Sequence, residues 1–187
     1  CSTNSLTCFN LLKQKLSKKI NQFVDATISG GNLKAQSGDL SIFIGGNKKT
    51  VSKIKFVFNI LGKNIYYLNK PGAGYAAKIA QVSLCYLNYL SLSESLMLGV
   101  KSGIKPKTML EIIDKSASGG YTSTRYGPNM INGDYDPSFF LGLSMKDLNL
   151  ANEIIKLQKL KLPIMNLTSK IYNKAIKKYG PNSNHLK

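Results

Sequence analysis

Several kinds of chemistry are excluded by what this 187-residue sequence holds little of. His185 is its only histidine, so a histidine-based metal site or a Ser-His-Asp triad cannot be assembled within the chain. Its three cysteines, Cys1, Cys8 and Cys85, are scattered and form no Cys-x-x-Cys pair, which argues against a zinc site or a disulfide framework. Reduced thiols point to a reducing compartment, and we expect a cytoplasmic location. No apolar run reaches the roughly 18 residues that a membrane span requires, so no membrane partner is expected. Acidic residues number only nine against 26 basic ones, leaving a net charge of +17. That balance would suggest nucleic acid, but Arg125 is the only arginine, and bidentate recognition of phosphate or guanine favours arginine over lysine. The lysines are spread through every segment instead of gathering in one arm, so nucleic acid is not the expected partner.

What is present reads as a folded chain of two characters. Leu11, Leu12 and Leu16 fall at helical spacing within 7–19. Residues 23–28 and 40–44 are short strand-like runs closed by Ser29-Gly30-Gly31 and Gly45-Gly46. Val51, Ile54, Val57, Phe58 and Leu61 predict an amphipathic helix over 50–61 with Gly62 at its end, and a strand follows at 65–68. After Pro71 the strands cease. Residues 76–98 form one apolar-rich helical stretch of about 35 Å, apolar on more than one face, which predicts burial among other helices. Further helices are predicted at 106–115, within 136–161 and over 163–178. The expected fold class is α/β followed by all-α, with a boundary near 69–74: residues 1–70 form one part and 71–187 a helical second part.

Gly72-Ala73-Gly74 follows a strand and opens a helix, as a dinucleotide-binding turn does. The frame is wrong, however. Such a turn needs a second strand ending in an acidic residue, whereas Glu94 lies inside the long helix. Two glycines allowing close backbone approach is the better reading.

Four segments, taken in order, carry a resemblance. They are Cys1-Ser2-Thr3; Asp25-Ala26-Thr27-Ile28-Ser29-Gly30-Gly31; Gly72-Ala73-Gly74-Tyr75-Ala76-Ala77-Lys78; and Lys146-Asp147-Leu148, preceded by Pro137-Ser138-Phe139. Together they resemble the β-hydroxyacid dehydrogenases, typified by 3-hydroxyisobutyrate dehydrogenase and tartronate semialdehyde reductase. The resemblance implies that residues 1–70 are the C-terminal part of a Rossmann-like dinucleotide domain, joined to an all-helical substrate and dimerisation domain. It also implies hydride transfer between NAD or NADP and a small hydroxy acid or semialdehyde carboxylate, and the long, multiply apolar helices of the second part suggest a homo-oligomer.

Carried over residue by residue, the resemblance makes Lys78 the proton donor and acceptor. Ser29, Gly30 and Gly31 would hold the substrate carboxylate, and Thr3 and Lys146 would touch the cofactor. Phe139 and Asp147 would close the pocket and hold the lysine network. No metal is implied. The chemistry of these residue types agrees: hydride addition to a carbonyl develops alkoxide charge that a positioned donor relieves, and glycine-rich turns let N–H groups approach an anion. Without the resemblance, Lys78 is one lysine among many, and Ser29-Gly30-Gly31 an ordinary turn.

The sequence departs from the family pattern in two ways. The family places asparagine one helical turn after the catalytic lysine, and here Val82 occupies that position. Gln81, three residues after Lys78, is expected to replace the missing amide. In addition, no glycine-rich cofactor turn precedes Cys1. The chain is therefore expected to be an N-terminally truncated portion of such an enzyme, inactive alone and binding cofactor weakly. A non-catalytic dimerisation or reader module that keeps the fold is the alternative. A dehydrogenase of the 6-phosphogluconate type is the nearest neighbour within the enzyme reading, but it would need a phosphate-binding set that Arg125 alone does not provide.

Overall fold

The computed structural model of the chain describes residues 2–135 and 139–186. Cys1, Asp136, Pro137 and Ser138, all named in the readings above, lie outside the described residues. The elements run α1 (Leu6–Leu16), a 3-10 turn (Ser17–Gln22), β1 (Val24–Ser29), α2 (Gly31–Gln36), β2 (Leu40–Gly46), α3 (Lys48–Leu61) and β3 (Gly62–Tyr67). Helices only then follow: α4 (Ala73–Lys101), α5 (Pro106–Lys115), α6 (Tyr121–Asn132), α7 (Leu141–Leu157) and α8 (Pro163–Tyr179). The expected succession of α/β and all-α is what the chain adopts.

Contacts divide the chain into two compact units. One holds the chain up to Val82 together with Asp147–Lys161; the other holds Ser83–Lys146 and the chain from Leu162 onward.

In the first unit the sheet has the order β1-β2-β3. β1 runs antiparallel to β2, with Asp25 opposite Gly45, Thr27 opposite Phe43 and Ser29 opposite Ser41. β2 and β3 are parallel and are joined through α3, the crossover a parallel pair demands. The core beneath the sheet is Leu40, Ile42, Ile44, Val51 and Phe58, with Val24, Ala26, Ile28, Ile54 and Ile65 packed against them. β1 therefore spends every second side chain on this core and turns Asp25, Thr27 and Ser29 to its other face. α3 starts at Lys48, before the predicted position, because the Asn47 side chain accepts the Lys49 N–H at 2.9 Å and caps it. Val57 and Leu61 do not join the core as predicted: they are 38% and 40% exposed, and Val51 and Phe58 carry the buried stripe.

Along α4 the buried apolar residues are Tyr75, Ile79, Val82, Tyr86, Tyr89, Leu92 and Leu96, which follow one stripe in steps of three or four residues, with Ser83 buried beside it. The predicted burial on several faces is corrected accordingly, since Leu84, Met97 and Leu98 are exposed.

In the second unit, Leu92, Leu96, Leu110 and Ile113 form a core with Met109, Met130 and Ile131. The C-terminal segment straps onto the start of α7. The Leu141 N–H donates to the Ser183 carbonyl and the Gly142 N–H to the Pro181 carbonyl, each at 2.8 Å, and the His185 N–H donates to the Phe139 carbonyl at 3.1 Å. The one histidine is thus part of a packed aromatic group, its ring centroid 5.0 Å from Tyr89, 5.5 Å from Tyr126 and 5.3 Å from Phe139.

Candidate functional site

The candidate site begins with the polar face of β1. Strand periodicity puts Asp25, Thr27 and Ser29 on one side, and each reaches α4 or the turn leading into it. One oxygen of the Asp25 carboxylate accepts the Gly72 N–H at 2.7 Å and the other accepts the Tyr75 N–H at 2.9 Å. The Thr27 hydroxyl donates to the Gly74 carbonyl at 2.8 Å. The Ser29 hydroxyl donates to Gln81 Oε1 at 3.1 Å. Three rungs thus fix the first turns of α4 against a strand some fifty residues earlier.

The Asp25 rung has a clear physical cause. The leading N–H groups of a helix have no intrahelical acceptor, and the helix dipole favours negative charge there. α4 has no acidic residue in its first turn. β1 supplies one instead, and Asp25 acts as a cap delivered from another element. Room for the carboxylate comes from two glycines. A Cβ on Gly45 would collide with the Asp25 carboxylate, and one on Gly74 would lie 2.7 Å from Asp25 Oδ2 and against the Phe43 carbonyl. Close approach is therefore the reason for glycine at position 74. It also disposes of a phosphate at this turn, since the N–H groups a phosphate would need are already donated to a carboxylate.

Asp25 is 2% exposed, and burial pushes its carboxyl above the ordinary 3.8; the N–H donors Gly72 and Tyr75 offset this only in part. The folded chain then holds a proton at pH values where the unfolded chain has released it. The stability this group adds is fully present below 3.8 and is lost as pH rises through the raised value. The unfolding free energy of wild type minus that of Asp25→Asn should accordingly fall with rising pH across that acidic window and level off above it. A difference independent of pH in denaturant titrations would contradict this.

Of the sequence-predicted residues, the structure brings Ser29 and Gln81 into contact, with Lys78 on the same helix three residues before Gln81. Lys78 and Gln81 are each partly buried. Val82 is turned into the buried stripe at 8% exposure, so the amide that meets Ser29 is that of Gln81. Gly30 and Gly31 follow directly at the end of β1 with φ of 143° and 65°, a path that glycine takes without strain. Thr3 is partly buried in the extended segment before α1. Asp147 is buried in the first unit at 4% exposure. Lys146, exposed, and Phe139, packed on His185, belong to the second unit.

Asp25 and Thr27 lie within the motif at 25–31, but the motif by itself assigns neither a role. The signal was available: Asp25 is the first acid of a strongly basic chain and sits inside a strand-like run, where a carboxylate needs partners. Among the described residues no group of histidine, cysteine and carboxylate side chains could hold a metal ion. Among the described residues no helix is long and apolar enough to cross a membrane. Cys8 and Cys85 are not joined in a disulfide. The Thr3 hydroxyl, in the first unit, and the exposed Lys146 ammonium, in the second, are each of a donor type that a hydroxyl-rich polyanion takes.

Residues 72–187 match the profile of the family described as NAD-binding of NADP-dependent 3-hydroxyisobutyrate dehydrogenase. Residues 1–69 match the NAD binding domain of 6-phosphogluconate dehydrogenase. The 2-(hydroxymethyl)glutarate dehydrogenase of Eubacterium barkeri is 39% identical over 151 residues, a match covering 80% of this chain and 50% of that protein. The 2-hydroxy-3-oxopropionate reductase of Escherichia coli is 31% identical over 180 residues, covering 92% of this chain and 60% of the relative. The crystal structure of 3-hydroxyisobutyrate dehydrogenase from Salmonella typhimurium superposes with a TM-score of 0.87 at 23% identity, over 99% of this chain and 65% of that one. The Mycobacterium tuberculosis 3-hydroxyisobutyrate dehydrogenase with L-serine gives 0.88 at 22% identity, over 99% and 66%. The chain thus spans between half and two thirds of the length of these relatives.

Proposed function

Because the chain belongs to the 3-hydroxyisobutyrate dehydrogenase family, we propose that it is the substrate-side portion of an oxidoreductase acting on a small hydroxy acid, with Lys78 as the proton carrier. Residues 1–70 then close a Rossmann-like domain, and residues 71–187 form the substrate and dimerisation domain. The observation that carries the reading is the contact of Ser29 with Gln81, one turn along α4 from Lys78 and beside the Gly30-Gly31 turn.

Thr3 and Lys146 would help to hold NAD or NADP, and the chemistry that group would supply is hydride exchange with the substrate carbon. In the oxidative direction the hydroxyl of the substrate loses its proton to the Lys78 amine as the C–H bond breaks. The products are a carbonyl acid, the reduced cofactor and an ammonium that returns its proton to water. In the reductive direction the Lys78 ammonium protonates the developing alkoxide, and a donor placed at that oxygen lowers the barrier.

The substrate carboxylate is taken by the Ser29 hydroxyl and the backbone of Gly30 and Gly31. The Ser29 hydroxyl donates its proton to Gln81 Oε1. Turning that proton to a carboxylate leaves the Ser29 oxygen as an acceptor, and Gln81 can satisfy it by presenting its amide NH₂ instead. Gln81 thereby serves where the family uses asparagine. Asp147 and Phe139 complete the reading as the group holding the lysine network and the apolar wall of the pocket. The exposed Leu84, Met97 and Leu98 support a homo-oligomer, and cysteines without a disulfide suit the cytoplasm.

The test is an assay of the complete gene product with a panel of small 2- and 3-hydroxy carboxylates and both cofactors. Substrate-dependent formation of NADH or NADPH is the expected result. Cofactor binding without turnover on any member of the panel would overturn the reading.

A further inference from the structure

β1 touches α4 at three points, and two of them are carboxylate or hydroxyl contacts to the helix start that no reacting atom requires. Asp25 grips the residues before and within the first turn, Gly72 and Tyr75, through both of its oxygens. Rotating α4 about its axis or sliding it along β1 breaks one of these bonds before the other, so the pair fixes both phase and depth. Gly45 and Gly74 leave no slack on either side of the carboxylate. Thr27 repeats the constraint at Gly74. Lys78 and Gln81 stand within two turns of this grip, and Ser29, on the same strand face as Asp25, meets Gln81. The strand that carries the substrate-binding hydroxyl therefore also carries the clamp for the helix that bears the proton carrier.

We propose that Asp25 is a positioning residue, whose two-point grip on Gly72 and Tyr75 sets where Lys78 and Gln81 stand against Ser29. The inference rests on the reading of Lys78, Gln81 and Ser29 given above, and concerns how that set is held. An asparagine at position 25 tests it, because its amide nitrogen is a donor and can accept neither N–H. One of the two bonds is lost at almost constant volume.

In the complete gene product, Asp25→Asn is expected to lower kcat per active site by about 10- to 100-fold, the scale on which small misplacements of a reacting group are felt. Cofactor affinity should stay at the wild-type value. Amide hydrogen exchange over residues 72–82 should speed up in the same variant. Val24→Ala provides the comparison: Val24 lies on the opposite, core-facing side of β1. It should lower stability while leaving both kcat per active site and exchange over 72–82 unchanged. If Asp25→Asn does not fold, Asp25→Ser, which keeps a single acceptor oxygen, carries the same expectation. Unchanged exchange over 72–82, or unchanged kcat per active site in a folded variant, overturns the proposal, as does a Val24→Ala variant with the same kinetic loss. Absence of turnover in the wild-type protein would instead sink the dehydrogenase reading, and the exchange measurement would still decide whether Asp25 holds this segment.

Discussion

Lys78→Met in the complete gene product is expected to lower kcat/KM for the hydroxy acid by about 10²- to 10⁴-fold, the usual contribution of a positioned acid or base. Methionine keeps the length and apolar stem of lysine, so the partly buried site on α4 is filled and the helix is not disturbed. What disappears is the only ionisable side chain in the Ser29-Gln81-Lys78 set. Cofactor binding should be unaffected. The loss should fall on the chemical step, so kcat and kcat/KM should drop together. Lys78→Arg separates charge from proton exchange. Arginine restores the positive charge but holds its proton, so it should recover little of the lost rate.

A second large effect is expected from Gly74→Ala, which should lower unfolding stability by about 2 kcal/mol, within the range for overpacking a close-packed site. The added Cβ would meet the Phe43 carbonyl and both the carboxylate and the carbonyl of Asp25. These are backbone atoms or atoms held at both ends, so no flexible side chain can swing aside. The strain should be relieved by moving α4 away from β1. That movement would loosen the Asp25 grip and the Thr27 bond together, because both converge on residues 72–75. A shifted denaturant midpoint accompanied by reduced kcat is the expected pair of observations. A normal midpoint would show that the junction has slack that the geometry denies. Gly133→Ala serves as the comparison, since its Cβ would have nothing within 4 Å; any cost there comes only from its φ of 69°.

Much of the architecture could be read from local pattern. α5 begins at Pro106 and ends at Lys115 as the missing N–H and the apolar spacing predict. The body of α4 and strand β2 were likewise legible, because each buries a stripe written in its own residues, and α8 because Pro163 opens it and Lys170, Lys174, Lys177 and Lys178 are exposed along it. α6 was not. It opens on Gly119-Gly120 and carries Pro128 inside, both of which read locally as breakers; Ser123, exchanging hydrogen bonds with Gly120, starts it nonetheless. α2 escaped for a different reason, being only six residues long between positive-φ glycines. The end of α1 at Leu16 depends on Ser17 adopting a φ of 43°, which no periodicity announces.

The site divides along the same line. Lys78, Ser29, Gly30 and Gly31 stood out through a motif order. Gln81 stood out because Val82 cannot form a hydrogen bond. An acid inside a strand-like run signals that Asp25 needs partners, but which partners depends on a register in which Asp25 faces Gly45, and on a helix start 47 residues away in sequence. A strand that reads as apolar and β-branched hid a buried polar face, since Asp25 and Thr27 are satisfied only by partners that folding delivers. The Gly-x-Gly turn shows the converse. Close backbone approach was legible in its two glycines, but the Asp25 carboxylate that they admit comes from far upstream.

The central claim, that the Lys78 amine carries the proton in hydride exchange, is tested most directly by chemical rescue. Lys78→Ala in the complete gene product would be assayed with saturating hydroxy acid and cofactor while ethylamine is added. The account predicts a nearly inactive variant whose turnover rises with amine concentration, under conditions in which wild type does not respond. A Lys78→Ala enzyme that turns over at close to the wild-type rate without added amine would contradict it.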